Sequence, residues 1–549
     1  MTSIIHKAFG RSRTLLSALS MALTMALISP VALGANYCPA VWKKGVLPLN
    51  FNPAFTAIDQ FNVAGGGRDD LIISSFYNVL KDPTGTTVTS YFERDLVARI
   101  TDLATVNPAT FNKNTDVEVL SDLGGPPNKM NWPNQISRVP DGVVPFEALV
   151  VPQGFHPADP PGRLTLINLD APNRQEYLIH QSTAAPGGCT YSGANNPRFY
   201  HDAKFVDMDG DGLKDIVTVR SAFKVAGPGS FCFFVGDLVW FRNPGAALAP
   251  NTPWAESVIY GYPATALGPD IALDVYDFEG DGIPEVVATR FFGGPSIRIF
   301  GAPAGQNWSA VNQLAGPFVR QQDITTTQGS PFGVQIVDLN LDGKVDVLAT
   351  NHQTDNCFSV TQTTVPGRVV AFEQPVGGVF TGTWTTRILK DNIRPNPTYP
   401  APTAGPGRLA PGLAQAFTPV RGLQGKVKPW IVVGGDEASK VWLLTPKSPS
   451  KTSWEYLSAV VFDINDTYGP QTTQTLMSPT GISPGEVIST IGGPSVRYDA
   501  AGPTGQAQIY VPVFEAREIR VLTLRTGASA DRVVCPPDVR ESCPVPAPL

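Results

Sequence analysis

Three nine-residue segments of this chain place oxygen side chains at one fixed spacing. They are Asp207-Met208-Asp209-Gly210-Asp211-Gly212-Leu213-Lys214-Asp215, Asp277-Phe278-Glu279-Gly280-Asp281-Gly282-Ile283-Pro284-Glu285 and Asp338-Leu339-Asn340-Leu341-Asp342-Gly343-Lys344-Val345-Asp346. Carboxylates or amides fill the first, third, fifth and ninth positions, with Gly at the sixth. Several oxygens converging on a tight loop suit a hard divalent cation, and calcium takes six to eight oxygen ligands. The glycine serves the sharp turn that such a loop needs. An EF-hand would carry its bidentate carboxylate at position twelve. Here the acid stands at position nine and an apolar strand follows at once.

Those strands read Ile216-Val217-Thr218-Val219, Val286-Val287-Ala288-Thr289 and Val347-Leu348-Ala349-Thr350. The loop-plus-strand frame recurs in eroded form elsewhere. It appears at Asn62 to Asp70, at Pro140-Asp141-Gly142 before Ala148, at Gly422 to Trp430, and at Ala500 to Ile509. That makes seven units. Other parts of the unit recur too, as a further strand that often ends in a turn: Asp237 to Gly245, Arg368 to Pro375 and Lys440 to Pro446. Trp254, Trp308, Trp384 and Trp454 are each expected to open the last strand of a unit and to pack between units. Short strands repeated with turns at fixed intervals predict an all-β, seven-bladed β-propeller of four-stranded blades. The last unit lacks an outer strand. Val41 to Leu47, at the other end of the chain, is expected to supply it and so remove two sheet edges.

The loops resemble the FG-GAP/VCBS repeats, calcium-binding propeller repeats of integrin alpha chains and of secreted microbial proteins. The resemblance implies structural calcium. Its ligands would be the side chains of Asp207, Asp209, Asp211, Asp215, Asp277, Glu279, Asp281, Glu285, Asp338, Asn340, Asp342 and Asp346, with the backbone carbonyls of Leu213, Ile283 and Lys344. Glu279 and Glu285 replace Asp, and Leu341 replaces a small fourth residue; these depart from the family pattern. The resemblance also implies ligand binding on the face opposite the loops, around the central funnel.

By the repeat register, that face receives Arg220, Arg290, Asn351, His352, Asp436, Glu437, Glu515 and Arg517 from the second strands. His201, Asp270 and Arg497 come from the innermost strands. Mixed Arg, carboxylate and His around a funnel suit a hydroxylated or acidic ligand such as a carbohydrate. His201, His352, Arg220 and Arg290 could instead serve a lyase, isomerase or hydrolase acting on a sugar or small metabolite, with Tyr77 or Tyr200 as proton partners. Polar residues at such a mouth also occur as solvated or interblade ion pairs. No G-x-S-x-G, H-E-x-x-H, C-x-x-C or phosphate-binding glycine loop is present. Repeated aromatic platforms for sugar are not evident from blade to blade.

The 549 residues contain 52 Gly, 52 Pro and 16% charged residues, a turn-rich composition. A net charge of -6 argues against a nucleic-acid partner. Residues 1–34 read as a signal peptide. Lys7, Arg11 and Arg13 precede an apolar stretch, and Ala32-Leu33-Gly34 resembles a cleavage site. The expected product is secreted: a propeller over residues 35–530 and a Cys- and Pro-rich tail over 531–549. Six cysteines suit an oxidising compartment. Cys38 is expected near Cys535 or Cys543, and Cys189 near Cys232, with Cys357 open. Asn307-Trp308-Ser309 and Asn465-Asp466-Thr467 fit the N-glycosylation sequon.

Overall fold

The structure is a computed structural model. It describes residues 40–76, 95–120, 130–154, 162–182, 198–225, 231–261, 268–354, 365–396, 409–469 and 488–525, except 63, 64, 66, 131, 293, 489 and 501. The leader, the tail, Tyr77 and all cysteines but Cys232 lie outside the described residues, as does the Cys232 side chain.

Seven four-stranded antiparallel sheets form the blades. Their inner strands are Pro53–Phe61, Ser137–Arg138, Phe199–Val206, Leu273–Tyr276, Pro331–Val337, Ala414–Phe417 and Ser495–Tyr498. The second strands are Arg68–Ser75, Ala148–Pro152, Asp215–Val225, Glu285–Arg290, Asp346–Asn351, Trp430–Gly434 and Ala507–Val513. Each predicted loop is the hairpin joining these two strands. Second strands read as unbroken apolar runs because a blade is covered on both faces; Asp346–Asn351, for example, is buried throughout.

Seven interblade cores follow, one per interface. Trp254 packs with blade-two residues such as Val150 and Ile179 and with blade-three residues such as Tyr200 and Phe241. Trp384 packs at the interface of blades four and five, beside Ile299 and Val347. Trp308 fills the interface of blades three and four, but it does not open a strand. It sits in a one-turn 3-10 helix, Trp308–Ala310, ahead of the outer strand Arg320–Thr325. Its backbone N–H donates to Met208 O and its indole N–H to Pro284 O, at 3.2 and 2.8 Å. Trp308 therefore braces two acidic loops at once, one through its backbone and one through its indole, which explains its departure from the repeat.

Ring closure follows the sequence expectation. Ala40–Pro48 is the outer strand of blade seven and pairs antiparallel with Glu518–Arg525. Leu47 is fully buried in the core shared by blades seven and one, with Leu71, Tyr510 and Ile519. Outside the blades the described residues also form a five-residue helix, Ile464–Tyr468, one-turn 3-10 helices such as Trp308–Ala310, and a two-stranded ladder of Gln353–Thr354 with Leu409–Ala410. No helix among the described residues is long and apolar enough to cross a membrane.

If the N-terminal strand is integral to the ring, Leu47→Ala should cost about 3 kcal/mol in chemical denaturation, like any core leucine. Leu314, two-thirds exposed on an outer connection, is the matched control and should show almost no change. A cost below about 1 kcal/mol for Leu47→Ala would show that closure does not depend on this strand.

Candidate functional site

The three acidic loops share one hydrogen-bond plan. The first carboxylate turns back on its own loop: Asp207 accepts from Gly210 and Gly212 N–H at 2.7 and 2.9 Å. Asp277 does the same for Gly280 and Gly282 at 2.7 and 2.8 Å. Asp338 accepts from Asp342 and Gly343 N–H at 3.2 and 3.0 Å. The ninth residue closes the loop, Asp215 on Met208 N–H, Glu285 on Phe278 N–H and Asp346 on Leu339 N–H. Gly210 and Gly280 have φ of 79° and 71°, a left-handed backbone. Leu341, at the equivalent position, is held at 61°. A non-glycine residue there pays a backbone cost of roughly 1 kcal/mol.

The donor set fits a hard cation. Asp207, Asp209 and Asp215 each bring an oxygen within 4.8 Å of the others. In the second loop, Glu285 Oε1 is buried and lacks a hydrogen bond. Burial, with the neighbouring carboxylates, pushes Asp215 up to about 6 and Glu285 and Asp346 up to about 7. Like charges crowded in this way are relieved by a cation. Arginines meet part of that need. Arg242 Nε lies 2.8 Å from Asp209 and its Nη2 3.1 Å from Asp211, while Arg320 Nη1 lies 2.7 Å from Glu279. No such arginine meets the third loop among the described residues. The Asn307 side chain is engaged with Asp209 O and with Ser309.

At the opposite end of the second strands, aromatic rings converge. Phe76 and Trp132 stack at 4.4 Å, and Phe76 also meets Phe55 and Phe514 at 5.9 and 6.0 Å. Phe55 contacts His201 at 5.7 Å, and His201 contacts Phe332 at 5.8 Å. Phe332 then meets His352 at 4.5 Å and Phe291 at 6.0 Å. The run joins six blades. Phe76, Phe291, His352 and Phe514 share one repeat position, the residue just after the second strand. The sequence expectation picked the charged and polar residues around these strand ends, His352 among them, and so passed over the phenylalanines at the same position. The register of the second strands was the signal that could have found them.

His201 and His352 are therefore brought together through Phe332. Neither His201 Nδ1 nor either nitrogen of His352 makes an aligned hydrogen bond, although both residues are buried. His352 Nε2 nevertheless lies 3.0 Å from Asp436 Oδ2 across the gap between blades five and six. Burial alone pulls His201 down to about 4, so it is neutral at physiological pH.

The remaining predicted residues are occupied elsewhere. Arg220 grips Glu256 with both terminal nitrogens, at 2.9 and 2.7 Å, and Asp237 with Nε at 3.0 Å. Glu256 in turn meets His180, whose Nδ1 lies 2.6 Å from the Tyr200 hydroxyl. This chain of charges crosses the strands of blade three and ties them to blade two. Burial works against the charge on Glu256, yet the bonds to His180 and Arg220 win and hold it at about 2. Asp270 accepts from Phe291 and Phe292 N–H at 2.6 and 2.8 Å, and burial pushes it up to about 7. It thereby fixes two rings of the mouth. Arg290 donates to Gly294 O, Glu437 accepts from Leu409 N–H, and Glu515 accepts from the Thr490 hydroxyl and N–H. Asn351 caps the Pro366 and Gln328 carbonyls. Arg517 occupies a left-handed turn with φ of 54°. Arg497 pairs in register with Gln508, near the hairpin end of its blade, and lies 3.7 Å from Asp69.

No family model matches this chain, and no curated protein matches it. Solved structures do. A Dyadobacter fermentans protein of unknown function is 11% identical with a TM-score of 0.39, over 73% of this chain and 94% of its own. The PQQ-bound aldose sugar dehydrogenase of Streptomyces coelicolor is 9% identical, TM-score 0.31, over 72% and 94%. Trypanosoma rangeli sialidase, solved with the inhibitor DANA, is 10% identical, TM-score 0.32, over 75% and 56%. Likenesses this distant transfer no activity to this chain.

Neutral, buried His201 predicts acid sensitivity. Its folded value lies below the ordinary 6.5, so the unfolded chain takes up a proton that the folded chain refuses. Stability from this residue should be complete above pH 6.5 and fall as pH drops toward 4, by about 3 kcal/mol at most. The gap between the urea midpoints at pH 7.5 and 4.5 should be smaller in His201→Gln than in the parent. An identical pH slope in the variant would contradict the assignment.

Proposed function

We propose that this chain is a secreted, calcium-stabilised propeller that binds a carbohydrate at the mouth opposite its acidic loops. One observation carries the reading: aromatic and imidazole rings from six blades meet around that mouth, in a run from Trp132 to His352. Sugar rings present C–H faces that pack on aromatic side chains, and a few polar groups among apolar walls then fix orientation. Phe55, Phe76 and Phe332 are half-buried and keep ring surface available. Asp436 and His352 supply polar partners for hydroxyls.

The Asp436–His352 pair also favours a second reading. An imidazole beside a carboxylate is the arrangement of a general base, so a lyase, isomerase or hydrolase acting on the bound sugar is the alternative. The two readings separate on turnover.

In the acidic loops, the bound calcium would neutralise the crowded carboxylates and pin each hairpin. The residues themselves hold the loop shape through the shared backbone hydrogen bonds. Calcium that binds only the folded chain stabilises it by mass action, about 3 kcal/mol at a hundredfold excess over Kd for one site. Excess chelator should therefore lower the melting temperature, and added calcium should restore it. A melting curve indifferent to both would remove calcium from the account.

On a glycan array, the protein should retain a defined set of saccharides. Phe332→Ala and His352→Ala should each weaken retention about tenfold or more while leaving the fold intact. Retention without product release supports a binding protein; release of product that His352→Ala abolishes supports an enzyme. Undiminished retention by both variants would place the ligand elsewhere.

A further inference from the structure

A second concavity lies at the other end of the ring. It is a cavity of about 620 Å³ where the inner strands of blades five, six and seven end, beside the third acidic loop. Its volume is within the range of small-molecule sites, roughly 300–1,000 Å³. Nothing in the reading of the aromatic mouth involves these residues.

The lining is divided between flat apolar surface and uncommitted polar groups. Phe417 and Tyr498 provide the aromatic surface, with Val337, Val427 and Val496 around them. Tyr498 is held in place by Arg421, whose guanidinium lies 5.8 Å from its ring centre. Gln415 lines the cavity, and among the described residues its amide makes no hydrogen bond. Gln335 spends its oxygen on Ala416 N–H at 2.8 Å, which leaves its NH2 to donate. Lys451, exposed at the rim, is uncommitted as well.

The charges point to a neutral occupant. Asp338 and Asp342 face one lysine, and both carboxylates are already committed to their own loop. Asp338 accepts from Asp342 and Gly343 N–H, and Asp342 accepts from Lys344 N–H at 2.8 Å and the Asn340 amide at 3.2 Å. With the calcium proposed for this loop neutralising both carboxylates, the cavity itself makes no strong demand for a charged ligand. Primary amides donate and accept within one group, as vicinal hydroxyls do, and the pairing is best made by a ligand rich in hydroxyls.

We propose that this cavity binds the terminal unit of a neutral saccharide, with hydroxyls on Gln415, Gln335 and the rim Lys451 and a ring face against Phe417 and Tyr498. It is a site separate from the aromatic mouth and stands whether or not that mouth binds sugar.

Calorimetry and saturation-transfer NMR with cellotriose, maltotriose and chitotriose test it. At least one should bind. Gln415→Leu keeps the side-chain volume and Lys451→Ala touches only an exposed residue, so both variants should melt as the parent does. Each should weaken the binding about tenfold, while Phe332→Ala, at the opposite mouth, should leave it unchanged. Absence of binding by all three sugars would overturn the proposal. So would binding that Gln415→Leu and Lys451→Ala spare, and binding that Phe332→Ala abolishes would assign the sugar to the mouth instead.

Discussion

Everything in this molecule depends on closing a ring of sheets. A blade alone leaves two apolar faces and two strand edges in water. Packing a blade between two neighbours buries both faces, and seven interblade cores result. The ring has one seam, where Glu518–Arg525 would expose an edge. The N-terminal strand covers it with an antiparallel ladder interrupted by one irregularity between Val41 and Lys43. Because the two strands of that ladder are far apart in sequence, the seam is also where the loop-closure entropy is greatest.

Closure fixes what each end of the ring can do. Hairpins between inner and second strands all emerge on one face, and there the acidic loops sit. Trp308 and Asn307 wedge blade four against the first of them. The other ends of the same second strands converge on the axis. A residue placed just past a second strand has nowhere to point but toward its counterparts in other blades, and four of these positions carry rings. The aromatic mouth is thus a consequence of the same register that makes the acidic loops. Asp270 shows the coupling locally, since its carboxylate caps the turn that presents Phe291 and Phe292.

The architecture was legible because it repeats. Three loops with one spacing set the register, the apolar second strands confirmed it, and Val41 to Leu47 completed the count of strands. Trp308 broke the pattern because it answers to a local contact with two loops rather than to the repeat. The mouth was only half legible. Polar residues drew the attention, and most of them, Arg220 and Asp270 foremost, turned out to hold strands or turns together. Phenylalanines look like core in any strand-rich sequence, and Phe291 and Phe514 are indeed buried; only their three-dimensional convergence with the half-buried Phe76 marks the mouth. The cavity by Gln415 was not legible at all, because it is assembled from three blades and no motif encodes it.

The central claim is that the first two acidic hairpins are scaffold and that the aromatic mouth is a recognition surface, whether or not the cavity beside the third hairpin also takes a sugar. Hydrogen exchange, followed peptide by peptide with and without a retained oligosaccharide, tests it most directly. The account predicts protection at the inner-strand starts and second-strand ends, around residues 53–57, 199–203, 331–334 and 350–354. Protection confined to the acidic hairpins around 207–215 and 277–285, with the mouth unchanged, would contradict it.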